Sequence, residues 1–226
     1  MKTKSKYNIA VVGATGVVGQ EIIKILEERK FPIAELRCLA SENSKGTRIE
    51  FNGEYVLTEV LTETSFEGID IALFSAGGSI SKTFAPHAVK AGAVVIDNTS
   101  HFRMDPDVPL VVPEVNAHAI DDHKGIIANP NCSTAQMVLA LKPIHDAVGI
   151  KRVVVSTYQS VSGAGKDAIL ELEKTTKLNL NGMDKKPTQF VKPISFKSKL
   201  HRYILLFVYS NSEIIIQIMM CKMILS

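Results

Sequence analysis

The stretch Gly13-Ala14-Thr15-Gly16-Val17-Val18-Gly19 does most to restrict how this chain can fold. Before it, Tyr7 to Val12 is a compact apolar run; after it, Gln20 to Glu28 carries apolar residues at helical spacing. That order predicts strand, glycine turn, helix. Glycines three apart let the backbone turn sharply and approach a pyrophosphate, which free N–H groups at the helix N-terminus then hold. A bare glycine triplet also serves as a plain tight turn. Here the strand before it, the helix after it and its place near the N-terminus favour dinucleotide binding.

The same alternation continues down the chain. Ala34 to Ala40 reads as a second strand, followed by the polar stretch Ser41 to Arg48. The end of such a strand meets the adenosine ribose, where a carboxylate suits a 2′-hydroxyl and hydroxyls with cations suit a 2′-phosphate. Ser41, Ser44, Lys45 and Arg48 lean towards NADP, and Glu42 argues for NAD. Asn52-Gly53 between two short runs signals a hairpin decorating the sheet. Ile69 to Phe74 is the next buried strand, ending in a second glycine turn, Ser75-Ala76-Gly77-Gly78, before a helix from Ile80 to Ala91. A turn at a strand's carboxyl end is where open α/β sheets bind ligands. Ala93 to Ile96 leads into Asp97-Asn98-Thr99-Ser100-His101-Phe102-Arg103, and Pro109 to Asn116 reads as a strand and turn. Arg103 suits a phosphate or carboxylate clamp, although from its residues alone the plainer reading, a solvated surface arginine, is slightly favoured.

Asn129-Pro130-Asn131-Cys132-Ser133-Thr134 puts a cysteine between an apolar run and a long helical pattern reaching Val148. Pro130 cannot donate to a strand ladder, so the chain must turn just before the thiol. Free N–H groups at a helix start favour thiolate, which makes a cysteine there a nucleophile rather than a small core residue. Lys151 to Gln159 is β-branched and predicts a strand; Asp167 to Leu178 predicts an amphipathic helix.

The 226 residues suffice for one large domain or two modest ones. A net charge of +3 without a Lys/Arg block argues against nucleic acid as a partner. Three cysteines, Cys38, Cys132 and Cys221, make neither a disulfide framework nor a metal-ligand spacing, and the histidines show no ligand spacing either, so no metal and a cytoplasmic setting are expected. The apolar run after the basic N-terminus is too short for a signal peptide.

Taken together, the glycine turns and the stretches 97–103, 129–134 and 158–165 resemble the aspartate-semialdehyde dehydrogenases, over roughly Tyr7 to Ile194. N-acetyl-glutamyl-phosphate reductases share the layout but usually carry Gly-Cys-Tyr-Pro-Thr around the nucleophile, which this chain does not. The resemblance implies an α/β fold: a Rossmann-like doubly wound parallel sheet over 1–131, then the start of an α+β catalytic and dimerisation domain over 132–195. It implies NADP-dependent, phosphorylating reduction of L-aspartyl-4-phosphate to L-aspartate 4-semialdehyde, on the route to lysine, methionine and threonine, by a cytoplasmic homodimer or homotetramer with no membrane partner. By the same resemblance Cys132 is the nucleophile and Gln159 orients the substrate, while Arg103 and Asn131 bind it. Gly13, Thr15, Gly16 and Val17 hold the pyrophosphate and Ser41 and Ser44 the 2′-phosphate. Ser75, Gly77, Asn98 and Gly165 complete the cofactor contacts. Residues 196–226 do not follow the family, which continues with an acid/base histidine and further substrate contacts. Tyr203 to Ser226 is apolar, but Ser210 to Glu213 near its middle argues against a membrane span, and a shifted or prematurely ended reading frame is the expected origin. A catalytically inactive NADP-binding chain is the competing expectation.

Overall fold

In the computed structural model, structure is described for residues 4–155, 157, 160–183, 186–190, 194–195, 204–210 and 213–219. The chain forms two compact units, 1–135 and 136–226.

The first unit is built on β1 (Tyr7–Val12), whose last four residues are each no more than 1% exposed. A strand apolar on both faces belongs in the middle of a covered parallel sheet, and β1 lies there. To one side stand β2 (Ile33–Ala40) and the short β5 (Glu59–Val60); to the other stand β6 (Ile71–Phe74), β7 (Val94–Asp97) and β8 (Ile126–Ala128). The order is β5-β2-β1-β6-β7-β8 and every pairing is parallel. Helix α1 (Val17–Glu28) links β1 to β2, and α2 (Gly78–Lys90) links β6 to β7. This is the predicted α/β sheet. Alternate residues of β1 feed opposite cores: Ala10 and Val12 pack with Leu39, Phe66, Phe74 and Val95, whereas Ile9 and Val11 pack with Ile23, Cys38, Ile49 and Phe51. Each such large side chain contributes roughly 1.5–3 kcal/mol by leaving water.

The hairpin signal is met by β3 (Arg48–Phe51) and β4 (Glu54–Leu57), paired antiparallel as a separate sheet. Asn52 (φ 54°) and Gly53 (φ 78°) form its left-handed two-residue turn. The expected strand and turn at 109–116 is corrected in part. Leu110 makes a single parallel bridge to Ala128, and α3 (Pro113–Asn116) is a helical turn started by its proline, whose fixed φ suits a first helical position.

Helix α4 (Cys132–Val148) runs from the first unit into the second. In the second unit Leu141 packs with Met137, Ile144 and Ile150, and α5 (Lys166–Leu180) follows a helical turn at Val161–Ala164. The strand expected over Lys151–Gln159 does not form among its described residues: 151–155 carry no ladder, and Val153, Val154 and Val155 are 37–49% exposed. β-branched residues favour a strand only where a neighbour covers them. In the tail, β9 (Ile204–Ser210) and β10 (Glu213–Met219) pair antiparallel from Ser210↔Glu213 to Ile204↔Met219. Among the described residues no helix is long and apolar enough to cross a membrane.

Candidate active site

The sheet order turns back at β1, with β2 on one side and β6 on the other, and ligands of open α/β sheets bind at the carboxyl ends beside such a point. Both glycine turns leave the sheet there. Each glycine of the first has its own reason. Gly13 sits at φ +87°, and a Cβ on it would approach Ala76 of the second turn to 3.0 Å. Gly16 caps α1 in extended backbone, with no side-chain cap and no acidic residue in the first turn. The open N–H groups of Val17 and its neighbours are left for an anion. A Cβ on Gly19 would stand 2.1 Å from the Gly13 carbonyl oxygen, so only glycine lets α1 close on the loop. A dinucleotide pyrophosphate fits this cradle, whose shape a single methyl would destroy. Thr15 is half-buried, and its carbonyl accepts from Gln20 Nε2 at 3.4 Å.

At the end of β2, Ser41 begins a helical turn (Glu42–Ser44), and the Ser44 amide donates to the Ser41 carbonyl at 2.9 Å. Glu42 and Lys45 face each other at 3.8 Å, both largely exposed, a pairing worth little. Arg48 lies 6.0 Å over the Tyr55 ring. In the second glycine turn, Ser75 donates from both N and Oγ to the Val12 carbonyl, at 2.9 and 3.0 Å, and Gly77 caps α2 at φ +98°.

Cys132 is the first residue of α4 and half-buried; Asn131 before it is exposed, and its Oδ1 accepts from the Ser133 amide at 2.9 Å. The approach to this helix is bound to the sheet through Asn129. Its amide donates to the Asp97 carbonyl (2.8 Å) and its Nδ2 to Asn98 Oδ1 (2.7 Å). Its carbonyl accepts from Arg103 Nε at 2.9 Å, while Arg103 Nη2 donates to the Asn98 carbonyl at 2.9 Å. Arg103 is thus half-buried rather than solvated, and among the described residues its Nη1 makes no hydrogen bond. Asn98, Arg103 and Asn129 are therefore joined by one bonded frame, and Asn129 stands three residues before Cys132 in the chain.

Burial, with the Glu59 carboxylate adding to it, pushes the Cys38 thiol up to about 11; of the free cysteines among the described residues, Cys38 is buried and Cys132 half-buried. Among the described residues no histidine is hydrogen-bonded to Cys132: His123 and His145 instead accept at Nδ1 from the Gly125 and Ile150 amides, at 3.0 and 3.1 Å. Gln159 lies outside the described residues; Gly165, at φ +96°, caps α5 in the second unit. Asn129 and the buried Asp97 were not singled out from sequence. The signal for Asp97 was a carboxylate ending an apolar strand.

The family model for "Semialdehyde dehydrogenase, NAD binding domain" matches residues 8–123, and that for "Semialdehyde dehydrogenase, dimerisation domain" matches residues 141–202. An aspartate-semialdehyde dehydrogenase of Aquifex aeolicus is 58% identical over 199 residues, covering 86% of this chain and 58% of the relative. One from Bacillus subtilis is 56% identical over 180 residues, covering 80% and 52%. The solved structure of aspartate semialdehyde dehydrogenase II of Vibrio cholerae complexed with ASA superposes with a TM-score of 0.80 at 52% identity, over 85% of this chain and 58% of that one. The chain spans 52–58% of the length of these relatives.

Proposed function

The chain belongs to the semialdehyde dehydrogenase family, and from that premise we propose that it serves the NADP-dependent, phosphorylating reduction of L-aspartyl-4-phosphate to L-aspartate 4-semialdehyde. The observation that carries this reading is the bonded frame of Asn129, Arg103 and Asn98, at the end of the sheet that bears the glycine cradle, which leads the chain into Cys132 as the first residue of α4.

The Cys132 thiolate attacks the acyl-phosphate carbonyl, the carbon–oxygen bond to phosphate breaks, and phosphate leaves as the thioester forms. Arg103, whose Nη1 makes no hydrogen bond among the described residues, carries the charge of the departing phosphate. Asn131, exposed beside the thiol, meets the substrate, and Gln159 orients it. A bound dinucleotide would supply the hydride that reduces the thioester to the semialdehyde and frees the thiolate. Gly13, Thr15, Gly16 and Val17 hold its pyrophosphate. Ser41 and Ser44 receive the 2′-phosphate, with Ser75, Gly77, Asn98 and Gly165 along the rest of its length. The domains are the nucleotide-binding part, 1–131, and the beginning of the catalytic part, 132–195. The enzyme works in the cytoplasm as a homodimer or homotetramer, a reading supported by the match to a dimerisation domain and by free Cys38 and Cys132.

The test is phosphate-dependent reduction of NADP with aspartate semialdehyde. Turnover abolished by Cys132→Ser supports the reading; turnover indifferent to that change ends it. A second reading, a chain that binds NADP without turnover, draws on the absence of a histidine bonded to the thiol among the described residues, and is met if NADP binds and no product forms.

A further inference from the structure

Asp97 closes β7 with 0% exposure, and its carboxylate accepts three hydrogen bonds. Ser81 Oγ and the Thr99 amide donate to Oδ1, each at 2.9 Å, and Thr99 Oγ1 donates to Oδ2 at 2.8 Å. Among the described residues no lysine, arginine or histidine forms an ion pair with it. Ser81 and Thr99 are themselves buried, at 0% and 8% exposure. A carboxylate taken from water without a cation is costly, and its hydrogen bonds only offset that cost. An apolar side chain would fill the same space more cheaply.

What an apolar side chain would not do is hold Thr99. Between Asp97 and Thr99 lies Asn98, so the grip on Thr99 closes a one-residue arch whose apex bears the bonds to Asn129 and Arg103. The Thr99 hydroxyl also accepts from the His101 amide at 3.3 Å, carrying the constraint along the turn towards Arg103. Phe102, 8% exposed and packed in the core, anchors that turn's far side. We propose that Asp97 is a positioning residue: by gripping Thr99 it sets the course of the 98–103 turn, and so where Arg103 and Asn98 meet the segment that carries Cys132. This rests on the aspartyl-phosphate reading, in which Arg103 receives phosphate.

The test follows alkylation of Cys132 by iodoacetamide in the full chain, peptide by peptide, with inorganic phosphate as protecting ligand. Adenosine 2′,5′-bisphosphate binding serves as a control, because it reports on the cradle and the 41–48 loop but not on the turn. Thr99→Val removes the hydroxyl link and should raise the half-protecting phosphate concentration about tenfold, the loss of a charge-assisted contact, with bisphosphate affinity unchanged. Thr99→Ser, which keeps the hydroxyl, should protect as the parent does, and Asp97→Ala should exceed Thr99→Val. Unchanged protection in Thr99→Val overturns the proposal, as does equal loss of phosphate and bisphosphate binding, the mark of a purely structural role. A parent chain whose Cys132 alkylates but is not protected by phosphate at all removes the function proposed above, and this inference with it.

Discussion

Gly19 and Cys38 are residues for which the physics is sharpest. A methyl on Gly19 would lie 2.1 Å from the Gly13 carbonyl, against backbone that cannot swing away. Gly19→Ala should therefore cost about 1–3 kcal/mol of stability through overpacking and abolish dinucleotide binding. Urea unfolding and NADP titration check the two effects separately. Cys38, pushed from 9.0 to about 11, keeps its proton in the fold after the unfolded chain has lost its own. Its contribution is fully present below pH 9 and is lost as pH rises through about 11. The parent should lose on the order of 2 kcal/mol more than Cys38→Ala across that window, read from urea midpoints at pH 8 and above pH 10. The roles of the glycines were legible because spacing and flanking runs are local. Asp97 was not: a carboxylate's burial is decided by Ser81, sixteen residues earlier on another element.

Among the elements, β1, α1 and the β3–β4 hairpin could be read from the chain because each has a local cause, an apolar run, a helical period or an Asn-Gly turn. The valines of 151–155 misled for the opposite reason. A strand is completed by its neighbour, and no run of residues declares where that neighbour will be. The hairpin offers a contrast with the cradle. Gly53 has φ +78°, and a Cβ on it would meet nothing within 4 Å. Gly53→Ala should cost only the left-handed backbone, roughly 1–2 kcal/mol. NADP affinity should be unchanged, because a methyl on Gly53 would touch no part of the glycine cradle. A hairpin substitution that weakened NADP binding as much as Gly19→Ala would show the two to be coupled.

At the scale of the molecule, a ligand that binds the folded chain alone stabilises it by mass action, about 2.7 kcal/mol at a hundred times its dissociation constant. NADP should therefore raise the thermal midpoint of this polypeptide, and NAD should raise it less. A steady-state assay beside the melting curve separates binding from chemistry. The frame of the site is stitched at the carbonyls of β1 and β2: Val12 takes both donors of Ser75, and Leu39 accepts from the Gly13 and Ala14 amides at 2.8 and 3.1 Å. Spreading β1 from β2 would break the pair at Leu39, and spreading β1 from β6 the pair at Val12, so the glycine socket has one width. The proposed 2′-phosphate contacts, Ser41 and Ser44, stand in the 41–48 loop outside that socket, so substitutions there should alter the preference between NADP and NAD and leave the socket as it is. On that proposal, a lineage, or an engineer, would trade one coenzyme for the other while the thiol stayed where it is.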